Sequence, residues 1–133
     1  MFGSFNKPIA AYQDVGVNSA IASADPHQLI TLLFEGAIAA LAIAKGAMEQ
    51  NNLGEKGKAI SKAIDIIDNG LKASLDLEKG EEIAERLYVL YEYMGERLLY
   101  ANLKNDVAAL TEVSHLLSEI QSAWTEIRPQ VVG

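Results

Sequence analysis

Apolar residues recur along this chain at three- and four-residue intervals in four long runs, the spacing that lines one face of an α-helix. In the first run Leu29, Leu33, Ala37, Ala40 and Ala44 make one face. Leu41 and Met48 lie beside it, and Ile30, Phe34 and Ile38 widen it. The second run carries the stripe Ile60, Ile64, Ile67, Leu71 and Leu75, and next to it a second row of small and apolar residues: Ala59, Ala63, Ile66, Gly70, Ala73 and Leu77. The third has Ile83, Leu87, Leu90, Met94, Leu98 and Ala101 as its stripe, flanked by Ala84, Tyr88, Tyr91, Gly95 and Leu99. The fourth has Val107, Leu110, Val113, Leu117, Ile120, Trp124 and Ile127.

Capping residues punctuate these runs. Asp25, Pro26 and Gln28 supply an N-cap, a first-turn proline and the third-position partner of a capping box. The first helix ends near Asn51 and Asn52, ahead of Gly54, and Asn105 or Asp106 caps the fourth. Helices are expected at about 25–52, 55–77, 81–104 and 106–128. Alternating β-branched runs are missing, and the connections are short enough to make successive helices antiparallel. The expected fold is all-α, an up-down four-helix bundle. It is preceded by a non-periodic arm, residues 1–24, with one short helical turn around Ala10–Val15, and followed by a tail, 129–133.

The second row of the second helix changes the picture. One stripe is enough to pack a helix into a bundle, so a second marks either a more central helix or a groove for another chain. Gly36, Gly46, Gly70 and Gly95 sit inside helices, each at a cost of about 1 kcal/mol against Ala. They fit close helix approach or room for a visitor. Tyr88 and Tyr91 suit a surface that is wet alone and buried in a complex.

Composition removes whole classes of chemistry. No cysteine is present among 133 residues, which excludes disulfides, thiolate metal sites and thiol nucleophiles. Eighteen acids against eleven bases give a net charge of −7, and no basic footprint for nucleic acid is visible. The first residues lack the pattern of a signal peptide. The most apolar window, Leu29 to Ala44, contains Glu35 and reads as too short and too Ala-rich for a membrane span, so a cytoplasmic protein is expected. Glu112 and His115 form a single Glu-x-x-His, which di-iron bundles use twice, and its position on the polar side argues against a metal. His27 is expected on the surface. No catalytic site, metal or cofactor is expected, and neither a P-loop nor a Gly-x-Ser-x-Gly occurs.

The ordered blocks Ala11-Tyr12, Ser23-Ala24-Asp25-Pro26-His27-Gln28-Leu29-Ile30, Leu33-Phe34-Glu35-Gly36-Ala37, Ser61-Lys62-Ala63-Ile64-Asp65-Ile66-Ile67, Leu71-Lys72-Ala73-Ser74-Leu75-Asp76, Leu90-Tyr91-Glu92-Tyr93-Met94 and Ala101-Asn102-Leu103 resemble those of the flagellin export chaperones, the FliS family. The resemblance runs from about Ile9 to Ile127. It implies a cytoplasmic helical bundle that binds the C-terminal segment of flagellin, disordered when free. Binding blocks premature assembly and presents the subunit to the export gate. It also implies that the arm covers part of the binding surface and helps dock on the gate. That role is carried onto Ile9 and Tyr12, which match the family's apolar-x-x-Tyr spacing. Many relatives have Ser where this chain has Asp25, and both cap well.

The expected partner-binding residues are Ile9, Tyr12, Ile66, Gly70, Ala73, Leu77, Tyr88, Tyr91, Gly95 and Leu99. On this reading Ile66→Asp or Gly70→Leu weakens flagellin binding and leaves the bundle folded. The competing readings are a ferritin-like metalloprotein and a structural homodimer, without a flagellin client, whose seam is the spare flank.

Overall fold

The computed structural model describes residues 25–127. Four helices follow one another: α1 Pro26–Glu49, α2 Leu53–Ile66, α3 Glu81–Lys104 and α4 Val107–Glu126. A π-helical segment, Ile67–Lys72, continues α2. Each helix packs on its neighbours in sequence, and α4 closes the square against α1. Cross-links between helix ends fix the directions. His27 at the start of α1 meets Trp124 at the end of α4, and Lys56 near the start of α2 meets Asn102 and Asn105 at the end of α3. The result is an antiparallel up-down four-helix bundle.

Asp25 and Asp106 cap where the sequence places them, and Asn52, read from sequence as the end of the first helix, is the N-cap of the second. Asp25 accepts from the Gln28 amide at 2.7 Å, Asn52 from Glu55 at 3.2 Å and Asp106 from Ala108 at 2.9 Å. Asn105 ends α3 in the left-handed region at φ 57°, a conformation Asn tolerates better than most residues. Gly80, the residue before α3, is required by space. A Cβ there would fall 2.4 Å from the Ala84 Cβ and 2.6 Å from the Asp76 carbonyl oxygen.

The core answers the question raised by the second helix. Ile60, Ile67 and Leu71 are buried, and so are Ala59, Ala63, Ile66 and Gly70 from the second row. In a square bundle each helix meets two neighbours, so a wide apolar arc is what the core itself needs. A central helix therefore accounts for the row as far as Gly70. Beyond it Ala73 and Leu77 are exposed. The helix ends at Lys72, short of the expected 77, so Ala73 is its C-cap and Leu77 lies in the turn that follows, where the helical period no longer applies.

Two further differences concern α1 and α3. By length and composition α1 passes the test for a membrane-crossing helix, where its window was read as too short. Its Leu33, Phe34, Leu41 and Met48 lie in the core, and Ala37, Ala40, Ala44 and Ala47 let α2 and α4 approach closely. On α3, Ile83 was expected in the core and is 70 % exposed, while Ala84 and Tyr91 are buried. The buried arc of α3 is centred on Met94 and Leu98, and Ile83 lies at the edge of that arc and in the first turn, where α4 covers it only partly.

Candidate functional site

The start of α3, the end of α4 and the connector between α2 and α3 meet at one end of the bundle. There the chain leaves apolar surface open. Ile83 and Leu87 of α3 face Ile120, Ala123, Trp124 and Ile127 across a groove of about 450 Å³, with Arg86 and Glu119 at its edges. Both edge groups have local partners: Arg86 pairs with Glu82, and a Glu119 carboxylate oxygen lies 2.8 Å from His115 Nε2. The groove therefore presents hydrocarbon between self-satisfied polar edges. Ile83, Leu87, Ile120 and Trp124 also line a second cavity of about 240 Å³ that reaches inward to Phe34, Leu71 and Tyr91. The two share walls and form one apolar recess at this end.

A clasp holds the recess in shape. The His27 imidazole stacks on the Trp124 indole, with centroids 4.3 Å apart and planes 6° from parallel. His27 Nε2 lies 2.7 Å from the Trp124 carbonyl oxygen, and Trp124 Nε1 donates to the His27 carbonyl at 3.0 Å. A carbonyl only accepts, so Nε2 is the donor in that bond. The other ring nitrogen, Nδ1, is buried and has no partner among the described residues. His27 is 4 % exposed, against the surface position expected from sequence. A lone histidine in a first turn carries no signal for burial; what buries it is Trp124, 97 residues away.

The expected partner residues that fall within the described span divide into three groups. Ile66, Gly70 and Tyr91 belong to the bundle interior, so partner contact through them requires the helices to part. Burial pushes the Tyr91 phenol above its ordinary value. Ala73 and Leu77 are exposed in the connector, beside the recess that Ser74, Leu75 and Asp76 help to line. Tyr88, Gly95 and Leu99 run along α3 on the side of α2. Tyr88 is half-buried under the Lys72 ammonium, 5.2 Å from its ring centre. Lys72 also pairs with Asp68 at 3.6 Å and Glu92 at 3.5 Å. Its partial burial opposes the charge, and the two carboxylates outweigh that and hold its pKa above the ordinary value. A Cβ on Gly95 would rest 3.8 Å from Asp68 Oδ1, an ordinary contact, so tight packing does not require this glycine. Leu99 is 62 % exposed. Ile9 and Tyr12, with the whole arm, lie outside the described residues.

Sequence reasoning missed the α3/α4 groove. Ile83, Leu87, Ile120, Trp124 and Ile127 were taken as core because periodicity reports a face and not whether a neighbour covers it. Elsewhere on these helices, Glu112 accepts from the Tyr93 hydroxyl and from Arg97 Nε. Tyr93 first and Arg97 second hold the Glu112 carboxyl below the usual carboxylate range. The Glu-x-x-His pair is thus divided, with Glu112 bound to α3 and His115 bonded to Glu119 at 2.8 Å. The described residues bring no three potential metal ligands together.

Comparison with known proteins gives matches along nearly the whole chain. The family model described as "Flagellar protein FliS" matches residues 8–131, a span that includes Ile9 and Tyr12. The chain is 57% identical over 122 residues to the flagellar secretion chaperone FliS of Salmonella typhimurium, covering 92% of this chain and 90% of that one. It is 49% identical over 120 residues to its Escherichia coli counterpart, with 90% and 88% covered. To that of Bacillus subtilis it is 29% identical over 123 residues, with 92% and 87% covered.

Proposed function

The chain belongs to the FliS family of flagellar secretion chaperones, and from that premise we propose that it is a cytoplasmic export chaperone for flagellin. It holds the C-terminal segment of flagellin, keeps the subunit from polymerising early and delivers it to the export gate. The observation that carries this reading is the apolar groove between α3 and α4, lined by Ile83, Leu87, Ile120, Ala123, Trp124 and Ile127. Exposed hydrocarbon between polar edges marks a partner site on a bundle whose core is otherwise complete.

The groove suits a client that is disordered when free. From Ile120 to Ile127 α4 rises by about 10 Å, the length of two helical turns. Apolar residues of the client's tail fill the groove and turn over the connector at Leu77 and Ala73. Ordering the tail offsets part of the contact energy, so affinity depends on how long a stretch is engaged. The arm, through Ile9 and Tyr12, covers part of this surface until the client arrives and contributes to docking on the gate.

Calorimetry tests this with full-length flagellin, with flagellin lacking its C-terminal segment, and with two variants of the chaperone. Ile83→Asp changes a residue 70 % exposed, so the fold survives and affinity drops tenfold or more. Leu53→Asp, 63 % exposed at the other end of the bundle, binds as the unmodified chain does. Equal binding by truncated flagellin would remove the tail as client. Normal binding by Ile83→Asp, with an unchanged circular dichroism spectrum, would remove the groove.

A further inference from the structure

The outward face of α3 is a second unpartnered surface. Val89, Leu99 and Leu103 are 66, 62 and 79 % exposed, with Tyr100 at 43 %. At 100° per residue these four share an arc of about 100°, directly opposite the buried Met94, Leu98 and Ala101. The stripe runs about 21 Å along the helix, toward the end of the bundle away from the α3/α4 groove.

Its charges have one sign. Glu85 and Glu96 fall on the same arc and have no ion pair among the described residues, and Glu92 at its edge faces Lys72. The flanking cations are engaged: Arg86 with Glu82, and Arg97 with Glu112 and the face of Tyr100. Lys104 lies in the last turn, where it answers the negative end of the helix dipole.

We propose that this face docks an amphipathic helix from a second partner, one carrying Lys or Arg about a turn from its apolar anchors, and that it does so alongside the flagellin segment. The chemistry selects that occupant. Leu99, Tyr100 and Leu103 form an apolar cluster at one end and Val89 a single apolar position about 15 Å away, with Glu92 and Glu96 between them, so a helix of about 14 residues would span both anchors. Two uncompensated carboxylates about 16 Å apart on that arc attract matching cations. A second copy of this chain would bring the same acids against themselves across a two-fold axis, on top of a net charge of −7 on each copy. Anionic lipid is repelled for the same reason.

Fluorescence anisotropy on the full chain tests the pairing. The probes are two synthetic 18-residue helical peptides with one leucine pattern, flanked by Lys in one and by Glu in the other. The unmodified chain is expected to bind the Lys peptide at least tenfold more tightly, with the preference shrinking as salt rises. Glu85→Lys with Glu96→Lys reverses the preference. Glu35→Lys with Glu49→Lys makes the same change in net charge on exposed α1 positions and leaves the preference intact. Leu103→Asp weakens the Lys peptide tenfold or more with an unchanged circular dichroism spectrum. Equal binding of both peptides, no binding, or an equal shift from the α1 pair would overturn the proposal. So would displacement of the Lys peptide by the flagellin tail, since the face would then be part of the client site. A concentration-dependent dimer abolished by Leu103→Asp would assign the face to a second copy and overturn it too.

Discussion

Replacing His27 separates the two components of the clasp that joins the first turn of α1 to the end of α4. In His27→Ala the stacked ring and the Nε2 bond to the Trp124 carbonyl are both lost. Stacking of this kind is worth about 1 kcal/mol beyond the area it buries, and the bond about another. The partly buried Trp124 carbonyl then loses its donor, and a hole opens against the Trp124 ring; a total of about 3 kcal/mol follows. In His27→Phe the ring stays and the bond goes, but so does the unpartnered Nδ1, whose burial already carries a cost. The Phe variant should therefore lose about 1 kcal/mol or less. Urea unfolding at neutral pH, followed by circular dichroism, measures both; for a chain of this size 3 kcal/mol corresponds to a fall in Tm of roughly 10 °C. Equal losses in the two variants would mean that the stack contributes nothing. A loss under about 0.5 kcal/mol in His27→Ala would remove the clasp as a stabilising element. Because Trp124 forms a wall of the groove, flagellin affinity should fall with His27→Ala even at temperatures where the bundle stays folded.

Ile66→Asp was expected from sequence to spare the fold, and the structure reverses that outcome. Ile66 is 0 % exposed, so an unpaired carboxylate there should cost more than about 4 kcal/mol, and thermal melting should show an unfolded or barely folded chain. A cooperative transition within a few degrees of the unmodified chain would contradict the burial described for α2. Glu112 sets an acid limb. Its pKa is lowered in the fold by Tyr93 and Arg97, so its contribution is present above the ordinary carboxylate value of 4.5 and is lost as pH falls through the lower folded value. The site is largely solvated, which limits the effect to about 0.5 kcal/mol. Glu112→Gln should flatten the fall in urea midpoint on going below about pH 4.5, and superimposable acid limbs for the two proteins would refute the assignment.

The legible part of this chain was whatever depends on near neighbours in sequence. Asp25 and Asp106 cap their helices through hydrogen bonds to amides three and two residues away, and both positions were read from a short window. The apolar faces of α1 and α4 were legible for the same reason, since a 3.6-residue period is a local property. Two kinds of information were not local. The π segment ends the second helix at Lys72, and a fixed period carried past it assigns Ala73 and Leu77 to the row of Ile66 and Gly70 when the chain has already left the helix. Coverage is the other. Ile83 and Ile120 have the same apolar character as Leu98 and Leu117, and only the packing of α3 against α4 leaves the first pair bordering an open groove and the second pair sealed. The recognition surface of a chaperone is the part of its apolar pattern that its own fold leaves uncovered. In this bundle the predicted flank on α2 went into the core, and the start of α3, taken for core, became the open surface. A periodic pattern sets how much hydrocarbon a helix carries, and the neighbours of that helix decide how much of it remains for another protein.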